Sequence, residues 1–196
     1  QLGLGKRNLT IALDWMHDTF RDAPVLGSLL NPAKSAASKI VSWDDLSGTL
    51  DTALSQEQPN ENLEVAVVAK GIAMAAAFLV KKFEFAATNV PYKTKGDLEE
   101  RLQKYIEENH FSAKSALETA FFDRLLKMAS KSGVVSIVLP QNFLFLGSYT
   151  LFREEVLLNF KFHHLAWLGD KAFQTPVDAA PVLVCVGPKD HGDAIS

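Results

Sequence analysis

Four consecutive residues, Asn89-Val90-Pro91-Tyr92, combine a hydrogen-bond acceptor, a restrained backbone and a flat ring. The asparagine amide oxygen accepts from N–H groups, Pro91 biases Val90 toward extended backbone, and the Tyr92 ring offers a face for stacking. A rigid acceptor beside an aromatic platform suits a planar amino-substituted heterocycle. The remaining reactive residue types point elsewhere. Cys185 is the only cysteine, which excludes an intramolecular disulfide. Its run Pro181-Val-Leu-Val-Cys-Val186 reads as a buried strand thiol rather than a nucleophile or ligand, and fits a reducing, cytoplasmic setting. His163-His164 falls in a strand, where neighbours point to opposite faces, so one core and one surface histidine is expected rather than a metal pair. No metal site is read from the sequence. Gly3-Leu-Gly5 is too short for a phosphate loop, and Gly147-Ser148 lacks the flanking pattern of a nucleophile elbow.

Composition sets the outer limits. At 196 residues, with 47% hydrophobic and 22% charged residues, the chain has the size and balance of one globular domain, which excludes disorder, collagen and coiled coil. The longest uncharged apolar stretch, Gly71-Ile-Ala-Met-Ala-Ala-Ala-Phe-Leu-Val80, is too short for the roughly 20 residues a membrane helix needs, so no membrane association is expected. A net charge of -3 argues against a strong non-specific nucleic-acid field. Acidic and basic residues intermix between Lys93 and Lys131, as on a solvated face. The first residue is Gln1, and the opening lacks the features of a signal peptide, so a piece of a longer chain is expected.

Periodicity supplies the elements that must hold the four-residue loop. Leu9, Leu13, Met16 and Phe20 share one helical face over residues 8–21, and Pro24 should end that helix. Residues 22–38 read as a long loop, 39–43 as a short strand and 45–55 as a helix. Residues 63–82 form an alanine-rich helix. Residues 83–88 are a strand running into Asn89. Helices follow over 97–109 and 111–130; in the latter Ser115 and Glu118 are spaced as a capping box, so its regular part is expected to start there, with Gly133 as terminator. The unalternated β-branched run 134–139 reads as a strand buried on both faces. A helix over 149–158 and strands over 160–167 and 181–187 complete the order. Alternating strands and helices predict an α/β fold with a mainly parallel sheet, and the last two strands pair as an antiparallel hairpin at one edge. In such sheets ligands sit at the carboxyl ends of strands, which is where Asn89 falls.

The stretch Lys82-Phe-Glu-Phe-Ala-Ala-Thr-Asn-Val-Pro-Tyr92 resembles the strand and Asn-Pro-Pro-Tyr loop of the adenine-N6 DNA methyltransferases. Three further stretches match in order: Thr119-Ala-Phe-Phe-Asp-Arg-Leu-Leu-Lys-Met-Ala129, then Gly133-Val-Val-Ser-Ile-Val-Leu-Pro-Gln-Asn-Phe-Leu-Phe-Leu-Gly-Ser-Tyr149, then Leu151-Phe-Arg-Glu. The same succession occurs in the large methylases of type IIG restriction-modification and related phage-defence systems, some of which carry Val at the second motif position. The likeness covers residues 14–187 and is strongest over 83–153.

The resemblance implies part of a Rossmann-like class I S-adenosylmethionine-dependent methyltransferase fold, with residues 1–196 as the C-terminal portion of its catalytic domain and the first strands missing. It implies methyl transfer to the N6 of an adenine flipped out of duplex DNA, with S-adenosylmethionine as cofactor of the full-length parent. Asn89 would give its side-chain oxygen and Val90 its main-chain carbonyl to the adenine amino group, with Pro91 restraining Val90. Tyr92 would stack on the base, and Phe173 matches the family position on its other side. The glycine-rich cofactor loop of the family has no counterpart before Asn89. Its acidic cofactor-contacting position is matched loosely by Trp43 or Asp44, with Asn89 the remaining cofactor contact. The isolated chain is therefore expected to be inactive and to bind the cofactor poorly. The family's first strand sits beside the 83–88 strand, so that edge is expected to be covered by residues 39–43 or by a second copy in a homodimer. Two rival readings are a non-catalytic scaffold with a degenerate methyltransferase fold, and methylation of RNA or of protein glutamine.

Overall fold

A run of β-branched and aliphatic residues, Val134 to Leu139, forms the centre of the sheet, and the rest of the fold is arranged around it. The computed structural model describes residues 14, 16–34, 63–169, 172 and 180–189. The expected strand over 39–43 and helix over 45–55, with Trp43, Asp44 and Phe173, lie outside the described residues. The chain divides into two compact units at Lys81/Lys82.

In the first unit, residues 16–20 are helical as the spacing predicts. The expected loop over 22–38 is instead opened by a one-turn helix Ala23–Leu26 and 3-10 turns Gly27–Leu29 and Pro32–Lys34. Pro24 stands in the first turn of that helix, where its missing N–H costs nothing, so it begins a helix as well as following one. Gly27, at φ 52°, supplies the left-handed residue that ends the turn. The alanine-rich segment forms helix α1, Leu63–Val80, two residues shorter than the sequence predicts. No helix among the described residues is long and apolar enough to cross a membrane.

The second unit begins with strand β1, Phe83–Asn89, followed by helices α2, Glu100–Asn109, and α3, Leu117–Met128. Strand β2, Ala129–Pro140, leads through 3-10 turns to helix α4, Thr150–Asn159, and then strands β3, Phe160–Trp167, and β4, Pro181–Pro188. The sheet order is β1-β2-β4-β3. β1 and β2 are parallel, while β4 runs antiparallel to both β2 and β3. Three strands thus share one direction, as expected, and the hairpin is antiparallel. The hairpin occupies one edge of the sheet, also as expected, with β4 next to β2 and β3 outermost. Among the described residues no strand precedes β1, and β2 is its one neighbouring strand.

Several expectations are corrected by the packing. β2 is not buried on both faces: Val135, Ile137 and Leu139 are buried, and Val134, Ser136 and Val138 half-buried. Cys185 likewise lies on the half-buried face of β4. The buried face meets Phe122 of α3, Phe143 and Phe152, whose ring centroids stand 5.5–5.9 Å apart in edge-on or tilted pairs. Gly133 does not end a helix. It lies inside β2, in a stretch where β2 spends five residues against two of β1, and a Cβ there would come within 2.5 Å of the Phe83 carbonyl oxygen. Both histidines of β3 are exposed rather than divided between core and surface. The register passes from Phe162↔Val186 to His164↔Cys185, so His163 is an extra, bulged residue, its ring lying where a Cβ on Gly187 would stand.

Candidate functional site

β1 and β2 end on the same side of the sheet because they are parallel, and the last β1 pairing is Asn89 with Val138. Ala86 and Thr88 pair with the buried-face residues Val135 and Ile137, so Phe85, Ala87 and Asn89 face the other way. Asn89 is exposed, and among the described residues its side-chain amide has no hydrogen-bond partner. An amide that the fold leaves unused at a strand's carboxyl end is available to a ligand. The next residue turns inward. Val90 is buried in the core cluster and anchors the loop, Pro91 is exposed and Tyr92 is half-buried.

The chain beyond Tyr92 is tied to the start of α3. Lys93 is held at both of its backbone groups: its N–H donates to Glu118 Oε2 at 3.3 Å and its carbonyl accepts from the Leu117 N–H at 2.9 Å. An antiparallel bridge between Thr94 and Ala116, with Lys95 N–H donating to the Ser115 carbonyl at 3.3 Å, continues the tie. Glu118 is only 4% exposed. The expected capping box is not formed. Ala116 is the N-cap, the Ser115 hydroxyl donates to the Ser148 carbonyl at 2.6 Å, and Glu118 reaches Lys93 instead. α3 starts at Leu117, within two residues of the start expected at Ser115, but with Ala116 rather than Ser115 as its cap.

Glu118 also sets the electrostatics of the site. Burial raises its carboxyl above the ordinary range, partly offset by hydrogen bonds from its own N–H and that of Lys93. Burial, and then the nearby Glu118 charge, raise the phenols of both Tyr92 and Tyr149. Tyr149 comes from the loop after β2, at the same end of the sheet. That loop is braced by Arg153 of α4, whose guanidinium donates to the carbonyls of Phe143 at 2.8 Å and Leu146 at 3.2 Å. Two parallel strand ends therefore carry two fixed loops, each bonded to segment 115–118 or to α4.

Of the residues singled out by sequence, the structure places Asn89, Val90, Pro91 and Tyr92 together by adjacency, while Trp43, Asp44 and Phe173 lie outside the described residues. From the sequence Glu118 had only a helix-capping role, and Tyr149 and Arg153 had none. A glutamate within the otherwise small and apolar run Ala116 to Phe122 was the available signal. No group of three or more His, Cys, Asp or Glu side chains among the described residues is placed to hold a metal ion.

The chain matches a known family by sequence. The model of the Eco57I restriction-modification methylases matches residues 6–173. The chain belongs to the Eco57I restriction-modification methylase family. A curated relative, the adenine-specific methyltransferase PglX of Lacticaseibacillus casei (strain Zhang), is 26% identical over 96 residues, which are 49% of this chain and 8% of that protein. The chain thus spans a small part of the curated relative's length. Among solved structures, a putative class I S-adenosylmethionine-dependent methyltransferase from Listeria monocytogenes aligns with 78% of this chain and 60% of its own, at 10% identity and a TM-score of 0.46. The methyl donor of this Eco57I-type family is S-adenosylmethionine. Within the described residues, Asn89 fits an edge of such a site, being exposed and unbonded, whereas no glycine-rich turn follows a strand ahead of β1.

Proposed function

We propose that the protein carrying this chain methylates the exocyclic N6 of adenine in DNA, with Asn89 to Tyr92 as the loop that holds the base. The observation that carries the reading is the exposed, unbonded amide of Asn89 followed by a buried Val90, a proline and a braced tyrosine. The lone pair of the adenine amino nitrogen is delocalised into the ring, which makes it a poor nucleophile. Acceptors on both amino hydrogens, the Asn89 side-chain oxygen and the Val90 carbonyl, draw the nitrogen toward tetrahedral geometry and free that pair. Pro91 restrains Val90, and Val in place of the usual proline keeps the carbonyl that the role requires. The Tyr92 ring stacks on the base, which has to leave the duplex to reach it. S-adenosylmethionine supplies the methyl group when bound, and Trp43, Asp44 and Asn89 are proposed to contact it. Phe173 is proposed on the second face of the base.

Membership of a restriction-modification methylase family favours DNA over RNA or glutamine as acceptor, and the PglX relative, an adenine-specific methyltransferase, favours adenine. The proposed domain assignment is the C-terminal portion of a catalytic domain. The test is transfer of labelled methyl groups to unmodified plasmid DNA by the full-length protein and its Asn89→Ala variant. Methyl incorporation at adenine N6 in the wild type and none in the variant is expected; undiminished transfer by Asn89→Ala would overturn the assignment.

A further inference from the structure

The structure assigns to Glu118 the role of a positioning residue that fixes the backbone immediately after Tyr92 and so sets the geometry of the base-holding loop; this rests on the function proposed above. Lys93 joins the loop to α3 at two points. Its carbonyl is bonded to Leu117 N–H at 2.9 Å, a bond that restrains the Lys93–Thr94 peptide rather than the Tyr92–Lys93 peptide before it. The second bond, Lys93 N–H to Glu118 Oε2, fixes that peptide plane, and with it the direction in which the Tyr92 side chain leaves the chain. Glu118 is itself immobilised. It stands in the first turn of α3, whose start is pinned by Thr119, its single hydroxyl proton shared between the carbonyls of Ala113 at 2.7 Å and Ala116 at 2.9 Å. Glu118 is 4% exposed, so little water reaches its carboxyl to compete with the Lys93 N–H.

The requirement is for an acceptor at the Oε2 position, which separates three substitutions of the full-length protein. Glu118→Gln keeps a carbonyl oxygen at the same reach and should retain methyl transfer within about threefold of wild type. Glu118→Asp keeps the charge but falls one carbon short, and Glu118→Ala removes the acceptor. Both should lower kcat roughly 10- to 100-fold, the scale of one lost buried hydrogen bond, with little change in KM for DNA. Amide hydrogen exchange at Lys93 supplies a readout independent of methyl transfer: it should quicken in the Asp and Ala variants and not in Gln. Should Ala fail to fold, Asp carries the comparison. Wild-type exchange at Lys93 in Glu118→Asp, or a Gln variant as impaired as Asp, would overturn the positioning role. A wild type that transfers no methyl group but shows the expected exchange pattern would instead overturn the proposed function and leave the brace standing.

Discussion

Asn89 can accept from a ligand only while the fold leaves its amide unused, and Tyr92 can stack only while its ring is held, so neighbouring residues of one loop have opposite needs. Tyr92→Phe should keep most of the single-turnover rate and Tyr92→Ala should lose it, because stacking uses the ring and is worth about 1–3 kcal/mol per base. Equal damage from both would make the hydroxyl the working group. Buried carboxyls give pH signatures of opposite sign. The Glu118 pKa lies above 4.5 in the fold, so the native state holds its proton more tightly than the unfolded chain, and stability falls as pH rises through the window above 4.5. Glu118→Gln should therefore melt at a higher temperature than wild type at pH 7, the gap closing below pH 4.5. Asp123 behaves in reverse. Burial alone would raise its carboxyl, but hydrogen bonds from His110 at 2.6 Å and Lys127 at 2.5 Å outweigh burial and hold it below 3.8. Its contribution is present above pH 3.8 and is lost as pH falls further, through the folded value. Asp123→Asn should accordingly lower the melting temperature at pH 7 and differ less from wild type in acid.

At the scale of elements, periodicity served where one face of a segment is uniformly apolar and failed where backbone contacts decide. β3 coincides with the sequence expectation, and α1 and β1 match it within two residues, because their hydrophobic runs are bounded by polar or proline signals. The cap of α3 was illegible because the competing partners of Ser115 and Glu118, the Ser148 carbonyl and the Lys93 N–H, are far away in sequence. The bulge at His163 was illegible for the same reason: it exists only against the register of β4. The candidate loop was legible by contrast, since its four residues are consecutive. Arg153 offers an element-level test. Arg153→Met keeps an apolar stem but removes the donors to Phe143 and Leu146, and should destabilise by about 1–3 kcal/mol in urea unfolding, with faster exchange in the 143–149 turn.

For the whole second unit, stability rests on one aromatic cluster. Phe122→Ala removes a fully buried ring contacting Phe143 and Phe152 and should cost about 3–5 kcal/mol. β1 raises a different issue, since β2 is its one neighbour among the described strands and Phe85 is 62% exposed. The chain of 196 residues should associate with rising concentration, and Phe85→Lys should suppress this in sedimentation, as charge on an edge strand does. Concentration-independent sedimentation of the wild type would show that the edge is already covered.

The five-against-two stretch at the start of β2, with Gly133 set against the Phe83 carbonyl, places all its irregularity before Phe85, so that from Phe85 to Asn89 the pairing runs step for step. The loop's chemistry therefore depends on parity. Length changes before Phe85 can be absorbed where the two strands already differ in count. A single residue added or removed between Phe85 and Asn89 would turn the asparagine toward Phe122 and present its neighbour to the substrate. The tolerance of this protein to insertion should thus switch sharply within one strand, forgiving at its beginning and absolute at its end.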